Sequence, residues 1–182
     1  GGTVSNANFI GTVNLPTNST VTFASSDTFT GVTATFVNNA DIVIGAGGTF
    51  TIDSASTATG DLSMISSAAG ASFVNQGSLV HNVSFNNGSL YAPTFTNQGS
   101  ITSTGANSTL FIGNSATEVT TNAASGTITA NGATVVVSLL GLDNDGTLIA
   151  QNSGQQEFVI DTDAVQAPDK VLSDWVVASY RK

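Results

Sequence analysis

The apolar residues of this chain stand in short runs that alternate with polar residues, and Gly, Asn and Pro interrupt the runs every few positions. The alternation is clearest in Thr49-Phe50-Thr51-Ile52, and a period of two is typical of a strand with one buried face. The interruptions predict turns, because Gly and Asn tolerate left-handed backbone and Pro fixes its own φ. The pattern therefore predicts an all-β chain with little helix.

One seven-residue pattern, apolar-x-Asn-x-Gly-Ser/Thr-apolar, recurs along the chain. It occurs at Phe73–Leu79, Phe95–Ile101 and Leu142–Leu148, with a degenerate copy at 36–42 and a shortened one at 85–90. We interpret each copy as the end of one strand, a turn at Asn and Gly in left-handed conformations, and the start of the next strand.

The spacing of the turn glycines indicates how the strands are arranged. Gly77, Gly99, Gly126 and Gly146 are separated by 22, 27 and 20 residues. Repeats of this length without a helical pattern favour a β-solenoid, in which each coil stacks on the previous one. A β-sandwich or jelly roll, the alternative, has a similar density of strands but needs no equal residues at one-coil distances. We predict a parallel β-helix of about seven coils.

Stacked coils would place equal residues above one another. Asn side chains would then form a hydrogen-bonded amide ladder, as in cross-β structures, and Phe side chains an internal stack. The predicted structural ladder consists of Asn75, Asn97, Asn144, Gly77, Gly99, Gly146, Phe73 and Phe95.

The composition changes near the C-terminal end, so we divide the chain into a solenoid body, 1–165, and a terminal segment, 166–182. The terminal segment holds the three cations and the single Trp. Pro168 suits a first helical turn, after which Val171, Leu172, Trp175 and Val176 would share one face; a strand over 175–180 is the alternative. We expect the segment to cap the last coil or to insert into a neighbouring subunit. The candidate subunit contacts are Trp175, Val177 and Tyr180.

Charge narrows the range of partners. The net charge is -9 and only 8% of residues are charged, so there is no basic surface for nucleic acid or for anionic lipid. The chain lacks an apolar run of about 18 residues, the length that would predict insertion into a membrane. Because the chain has no Cys, disulfides and thiolate metal sites are impossible.

The candidate chemistry does not indicate an enzyme. Asp53, Asp61 and Glu118 are scattered and the body has no Lys or Arg, while His81 accompanies no nucleophile motif. Asp143-Asn144-Asp145-Gly146 is similar to the start of a calcium loop, but Gly141 and Asn152 occupy ligand positions of that motif. We predict no cofactor, and the metal-site candidates are only Asp143, Asp145, Asp161 and Asp163.

Thr-x-Thr pairs suggest another possibility, an ice-binding surface. They occur at 20/22, 28/30, 49/51, 94/96, 102/104 and 127/129. Because these intervals are irregular, we interpret the pairs as outward residues of strands, with ice binding as an alternative function.

The Asn-x-Gly-Ser/Thr-apolar repeats resemble those of secreted β-helical proteins of bacterial surfaces, namely autotransporter passengers and adhesins of the filamentous-haemagglutinin type, over about residues 36–160. The resemblance implies a right-handed parallel β-helix that is secreted and lies outside the cell or on its surface. We expect a non-enzymatic structural protein, a subunit of a self-assembling filament whose partners are copies of itself. The alternatives are an adhesin that binds surface glycans, an ice-binding protein and a β-helix enzyme that cleaves polysaccharides.

Overall fold

The computed structural model describes residues 1–66, 68–113, 119–138 and 142–159. Within these ranges the chain forms strands and turns and contains no helix. The predicted terminal segment, 166–182, lies outside the described residues.

Twenty short strands follow one another in the described part of the chain. They are β1 (Gly2–Val4), β2 (Asn8–Leu15), β3 (Thr20–Phe23), β4 (Ser26–Phe36), β5 (Asp41–Ile44), β6 (Thr49–Ile52), β7 (Thr57–Gly60), β8 (Ser63–Ile65), β9 (Ser72–Asn75), β10 (Ser78–His81), β11 (Gly88–Tyr91), β12 (Thr94–Asn97), β13 (Ser100–Ser103), β14 (Thr109–Ile112), β15 (Val119–Asn122), β16 (Thr127–Asn131), β17 (Thr134–Ser138), β18 (Leu142–Asn144), β19 (Thr147–Gln151) and β20 (Gln155–Val159).

The strands stack on three faces. Face A consists of β1, β3, β5, β8, β11, β14, β17 and β20 in that order. Face B contains β6, β9, β12, β15 and β18, and face C contains β7, β10, β13, β16 and β19. The long strands β2 and β4 run across both B and C, because β4 pairs with β6 through its first half and with β7 through its second.

Every strand pair in the described residues is parallel, and each strand pairs with the strand one coil away. The prediction of a parallel β-solenoid is confirmed, the predicted number of coils agrees roughly, and the sandwich alternative is wrong. Parallel stacking requires a connection that returns each strand to the same face. Here the connection consists of the strands of the other two faces.

Alternation along each strand builds the core. Most strands of faces B and C bury every second side chain, as a strand with one core-facing side must. In register, the Phe50 and Phe73 rings stack at 5.7 Å between centroids and those of Phe73 and Phe95 at 4.9 Å. Phe23 extends this aromatic stack, with its ring 4.7 Å from that of Phe50.

The corner glycines between faces B and C stack as well, but for a different reason from the one predicted. In the three full copies, neither the glycines of this corner nor Asn75, Asn97 and Asn144 have positive φ, whereas Asn39 of the degenerate copy does, at 58°. A Cβ on Gly99 would lie 2.1 Å from the carbonyl oxygen of Gly77. Glycine is therefore needed because consecutive coils approach each other closely at this corner, not because of a left-handed turn.

The repeat copies do not all lie at this corner. In Phe95–Ile101 the Asn still belongs to the first strand, and the corner is the following pair Gln98-Gly99. The degenerate copy at 36–42 and the shortened copy at 85–90 instead lead into β5 and β11, at the corner between faces C and A. Their Asn residues therefore do not belong to the ladder.

Candidate functional site

An asparagine ladder runs inside the solenoid along face B. The Nδ2 of Asn75 donates to the Oδ1 of Asn97 over 2.8 Å, Asn97 to Asn122 over 2.8 Å, and Asn122 to Asn144 over 2.7 Å. The first three side chains are buried. The structure thus brings Asn75, Asn97 and Asn144 into one column and adds Asn122, which the repeat pattern missed.

The signal that identifies Asn122 as a member of the ladder is its position in the strand register. It lies directly between Asn97 and Asn144 in the parallel pairing, but three residues separate it from Gly126 where the other copies have one. The extra residues interrupt the Asn-x-Gly pattern without moving Asn122 out of the column. At the other end of the ladder the neighbouring position is Ile52, and among the described contacts the Oδ1 of Asn75 has no hydrogen-bond partner.

A second buried polar group lies at the corner between faces C and A. His81 is fully buried at the end of β10, and its Nε2 lies 3.2 Å from the carbonyl oxygen of Asn86. Since a carbonyl only accepts, Nε2 carries the proton in this contact. Burial lowers the pKa of His81, and the Asn86 carbonyl and the nearby Asp61 carboxylate partly offset this effect.

Asp61 anchors the same corner. Its carboxylate accepts hydrogen bonds from the backbone N–H of Asn39 at 3.0 Å and from the side-chain amide of Asn86. The Cβ of any larger residue at Gly88 would lie 2.8 Å from the Nδ1 of His81. These contacts hold a loop in place, and they leave no room for a substrate beside the imidazole.

The other carboxylates do not come together. Asp143, in β18, and Asp145, just after that strand, are both exposed, and no group of three His, Cys, Asp or Glu side chains that could hold a metal occurs in the described part of the chain. Asp161 and Asp163 lie outside that part. Asp53 accepts hydrogen bonds from Ser56 Oγ at 2.6 Å and from the backbone N–H of Gly31, which lower its pKa.

The outer surface of face C is a regular array of small polar side chains. Over seven stacked strands of the described chain, two outward positions per strand form two columns in register. The columns contain Thr12, Asn14, Thr33, Thr35, Thr57, Thr59, Ser78, Val80, Ser100, Thr102, Thr127, Thr129, Thr147 and Ile149. All of them are exposed or half-buried except Thr129, which is buried. Nine of these fourteen residues are Thr and none is charged. We call this surface the threonine array.

The structure corrects the argument from irregular Thr spacing. Thr28, Thr51, Thr96 and Thr121 lie in one outward column of face B, in which Val74 stands between Thr51 and Thr96, although their separations in sequence differ. Corners of different length absorb the irregular intervals, so the strands stay in register. Intervals along the chain therefore do not show whether Thr residues stack.

The first coil has an unpaired edge. Within the described residues β1 pairs only with β3, and β2 pairs only with β4. The core side chains Phe9 and Val13 of β2 are only partly buried there, and Ile10 is 75% exposed. At the other end β18, β19 and β20 each pair with a single strand among the described residues. The candidate contacts Trp175, Val177 and Tyr180 lie outside the described ranges.

Comparisons with known proteins identify no relative: no family model, curated protein or solved structure matches this chain. In the part of the chain that the structure describes, no helix has the length and apolar character needed to cross a membrane.

Proposed function

We propose that this protein is a non-enzymatic structural protein of the cell exterior whose copies stack end to end into a filament. The observation that carries the proposal is that β1 and β2 in the first coil each pair with a single strand among the described residues, which leaves an open edge there. An exposed row of unpaired N–H and C=O groups is a template for pairing with another chain.

The geometry of the two ends suits such stacking. Because all strands are parallel, the outer edges of β18, β19 and β20 on one copy present faces B, C and A in the orientation that β2 and β1 of a second copy require. A head-to-tail contact of this kind uses two different surfaces and does not close, so it generates an open filament. The resemblance to bacterial surface β-helices supports placement outside the cell.

The open edge can be tested with one substitution. The carbonyl of Leu15 accepts from Val37 N–H at 3.0 Å, and alternation along β2 therefore directs the N–H of Thr12 away from β4, towards the open edge. Thr12→Pro removes that donor and places a ring at the docking edge, where proline does not disturb the fold. We expect filaments in electron micrographs of the wild-type protein and none with Thr12→Pro.

Thr12→Val is the matched control, since it keeps the N–H group, and it should form filaments as the wild type does. Sedimentation velocity over a range of concentrations gives an independent reading of assembly. Wild-type protein that stays monomeric at every concentration would contradict the proposal, as would Thr12→Pro chains that assemble normally. Binding of monomers to a glycan array would favour the adhesin alternative.

The threonine array favours a second candidate function, ice binding. Its hydroxyl and methyl groups repeat at roughly 4.8 Å between strands and roughly 6.7 Å along each strand. A neutral array with two fixed spacings can hold water molecules in a lattice, whereas charged side chains would impose their own hydration. Face C carries no charge over seven strands of the described chain.

Inhibition of ice recrystallisation tests this candidate. Thr102→Lys places a charge inside the array, between Val80 and Thr129, and should abolish an effect that the wild type shows. Thr22→Lys, at an outward and half-buried position of face A, should retain it. A wild-type protein without any effect on ice growth would contradict the candidate, and so would equal losses in the two variants.

A further inference from the structure

Face A differs from the other two faces in what it presents to solvent. On five consecutive strands, from β5 to β17, one outward side chain per strand is apolar. These residues are Val43, Ile65, Tyr91, Phe111 and Val136. Phe111 is 38% exposed and the other four are half-buried. We call them the apolar strip.

The strip is continuous across the sheet. Val43 pairs with Ile65 and Ile65 with Tyr91, while Phe111 pairs with Val136. Tyr91 and Phe111 are diagonal neighbours on β11 and β14, which is within reach for aromatic side chains. At comparable outward positions face C carries Thr and Ser on most strands. A connected apolar surface of this kind on one face alone indicates a covering partner.

The chain itself supplies a segment of the right length at the right place. β20 is the last strand of face A, and 23 residues follow Val159. As a helix, residues 166–182 would span about 25 Å at 1.5 Å per residue. From β20 back to β5 there are five strand spacings on face A, which is about 24 Å.

The chemistry of the segment matches the strip. Its predicted helical face carries Val171, Leu172, Trp175 and Val176, the kind of large apolar anchors that fill such a surface. The charges of the segment and of the solenoid are also complementary. Residues 1–159 hold eight Asp and Glu and no Lys or Arg, whereas all three cations lie in 170–182. A segment running back from β20 brings Arg181 and Lys182 towards Asp41, which is half-buried at an outward position of β5.

We propose that residues 166–182 pack along face A of their own solenoid and cover the apolar strip, with Trp175 against Tyr91 and Phe111. The inference is independent of filament formation, since it concerns a face of the solenoid and not its ends.

Tryptophan fluorescence tests the contact directly, because Trp175 is the only Trp in the chain. The full-length protein should emit at shorter wavelength than the same chain in denaturant and should be protected from quenching by acrylamide. Phe111→Lys should shift the emission to longer wavelength and remove that protection. Far-UV circular dichroism establishes that the variant keeps its strands.

Val80→Lys is the matched control, since Val80 is also apolar, outward and half-buried but belongs to face C; it should leave the Trp175 emission unchanged. Emission like that of the unfolded chain in the wild type would overturn the proposal, and so would a folded Phe111→Lys variant with unchanged emission. The emission should not depend on protein concentration. A shift to longer wavelength on dilution would place the segment on a neighbouring copy and would overturn it too.

Discussion

Each interior Asn of the ladder accepts a hydrogen bond from one neighbouring coil and donates a hydrogen bond to the other. Asn97 accepts from Asn75 and donates to Asn122, so each interior amide of the ladder depends on both neighbours. A buried polar group that loses its partner costs about 1–3 kcal/mol. The ladder therefore favours one register of the coils, because a slip by one residue would turn an Asn to the outer face of the sheet and break its hydrogen bonds to both neighbours.

Replacing Asn97 tests this coupling. Asn97→Leu leaves the amide of Asn75 and the carbonyl of Asn122 without their partner, and we expect the free energy of unfolding to fall by about 2–4 kcal/mol. The neighbouring Gln98 accepts from Gln76 in an exposed ladder at 3.1 Å, so Gln98→Leu should change stability by less than about 0.5 kcal/mol. Urea unfolding measures both, and equal effects of the two substitutions would contradict this role of the ladder.

Titration of His81 gives the fold a pH dependence. The unfolded chain binds a proton at His81 near its ordinary pKa of 6.5, while burial lowers the pKa in the folded state. At a pH between these two pKa values the unfolded state binds more protons than the folded state. The contribution of neutral His81 to the stability of the fold is therefore fully present above about pH 6.5, and it is lost as the pH falls through the folded-state pKa. The negative charge of Asp61 raises the pKa of His81 and so reduces this shift.

His81→Gln should remove this dependence. We expect wild-type stability to drop between about pH 7.5 and about pH 5.5, and the variant to be less stable at the higher pH but nearly constant over the range. The lowered pKa of Asp53 acts only below the ordinary value of 3.8, outside this window. A variant that keeps the full wild-type slope in urea unfolding would show that another group is responsible.

Among the elements, the corners set how closely the coils approach. At the corner between faces B and C a Cβ on Gly99 would lie 2.1 Å from the oxygen of Gly77 and 2.6 Å from that of Gln76. Both atoms belong to backbone of the preceding coil, which cannot move without separating the coils. This corner therefore needs glycine on sequential coils.

Gly99→Ala should destabilise the protein by about 3 kcal/mol, as overpacking of a rigid contact does. Gly2→Ala is the control, because a Cβ on Gly2 would meet nothing within 4 Å, and it should be almost neutral. Thermal unfolding followed by circular dichroism compares the two. A Gly99→Ala variant as stable as the control would show that the corner can open.

The elements that the sequence predicted best are those with strict alternation. Thr49-Phe50-Thr51-Ile52 is a strand with Phe50 and Ile52 buried, as its period of two requires. His81 lies two residues after Leu79 in β10, so alternation along the strand places both side chains on the buried side. The burial of His81 could therefore have been predicted from the sequence. The Thr columns could not be predicted from intervals along the chain, since corners of different length change the spacing without changing the register.

At the scale of the whole molecule, the three faces and the two ends have different surfaces. Face C is neutral and rich in Thr, face A carries the apolar strip, and the first coil has strands that pair on one side only within the described ranges. All of these surfaces exist only because equal residues of consecutive coils lie above one another in parallel strands. The solenoid could be predicted from the recurring Asn and Gly positions, whereas its edges and the strip required the register of the strands.

NMR spectroscopy of the isotopically labelled protein tests this stacking most directly, with the Thr12→Pro variant available to limit assembly. We predict nuclear Overhauser contacts between the side-chain amide protons of Asn75 and Asn97, and between those of Asn97 and Asn122, whose amides lie within hydrogen-bond distance. Close Hα–Hα contacts between neighbouring strands, the mark of antiparallel pairs, together with the absence of contacts between these Asn side chains, would contradict the account.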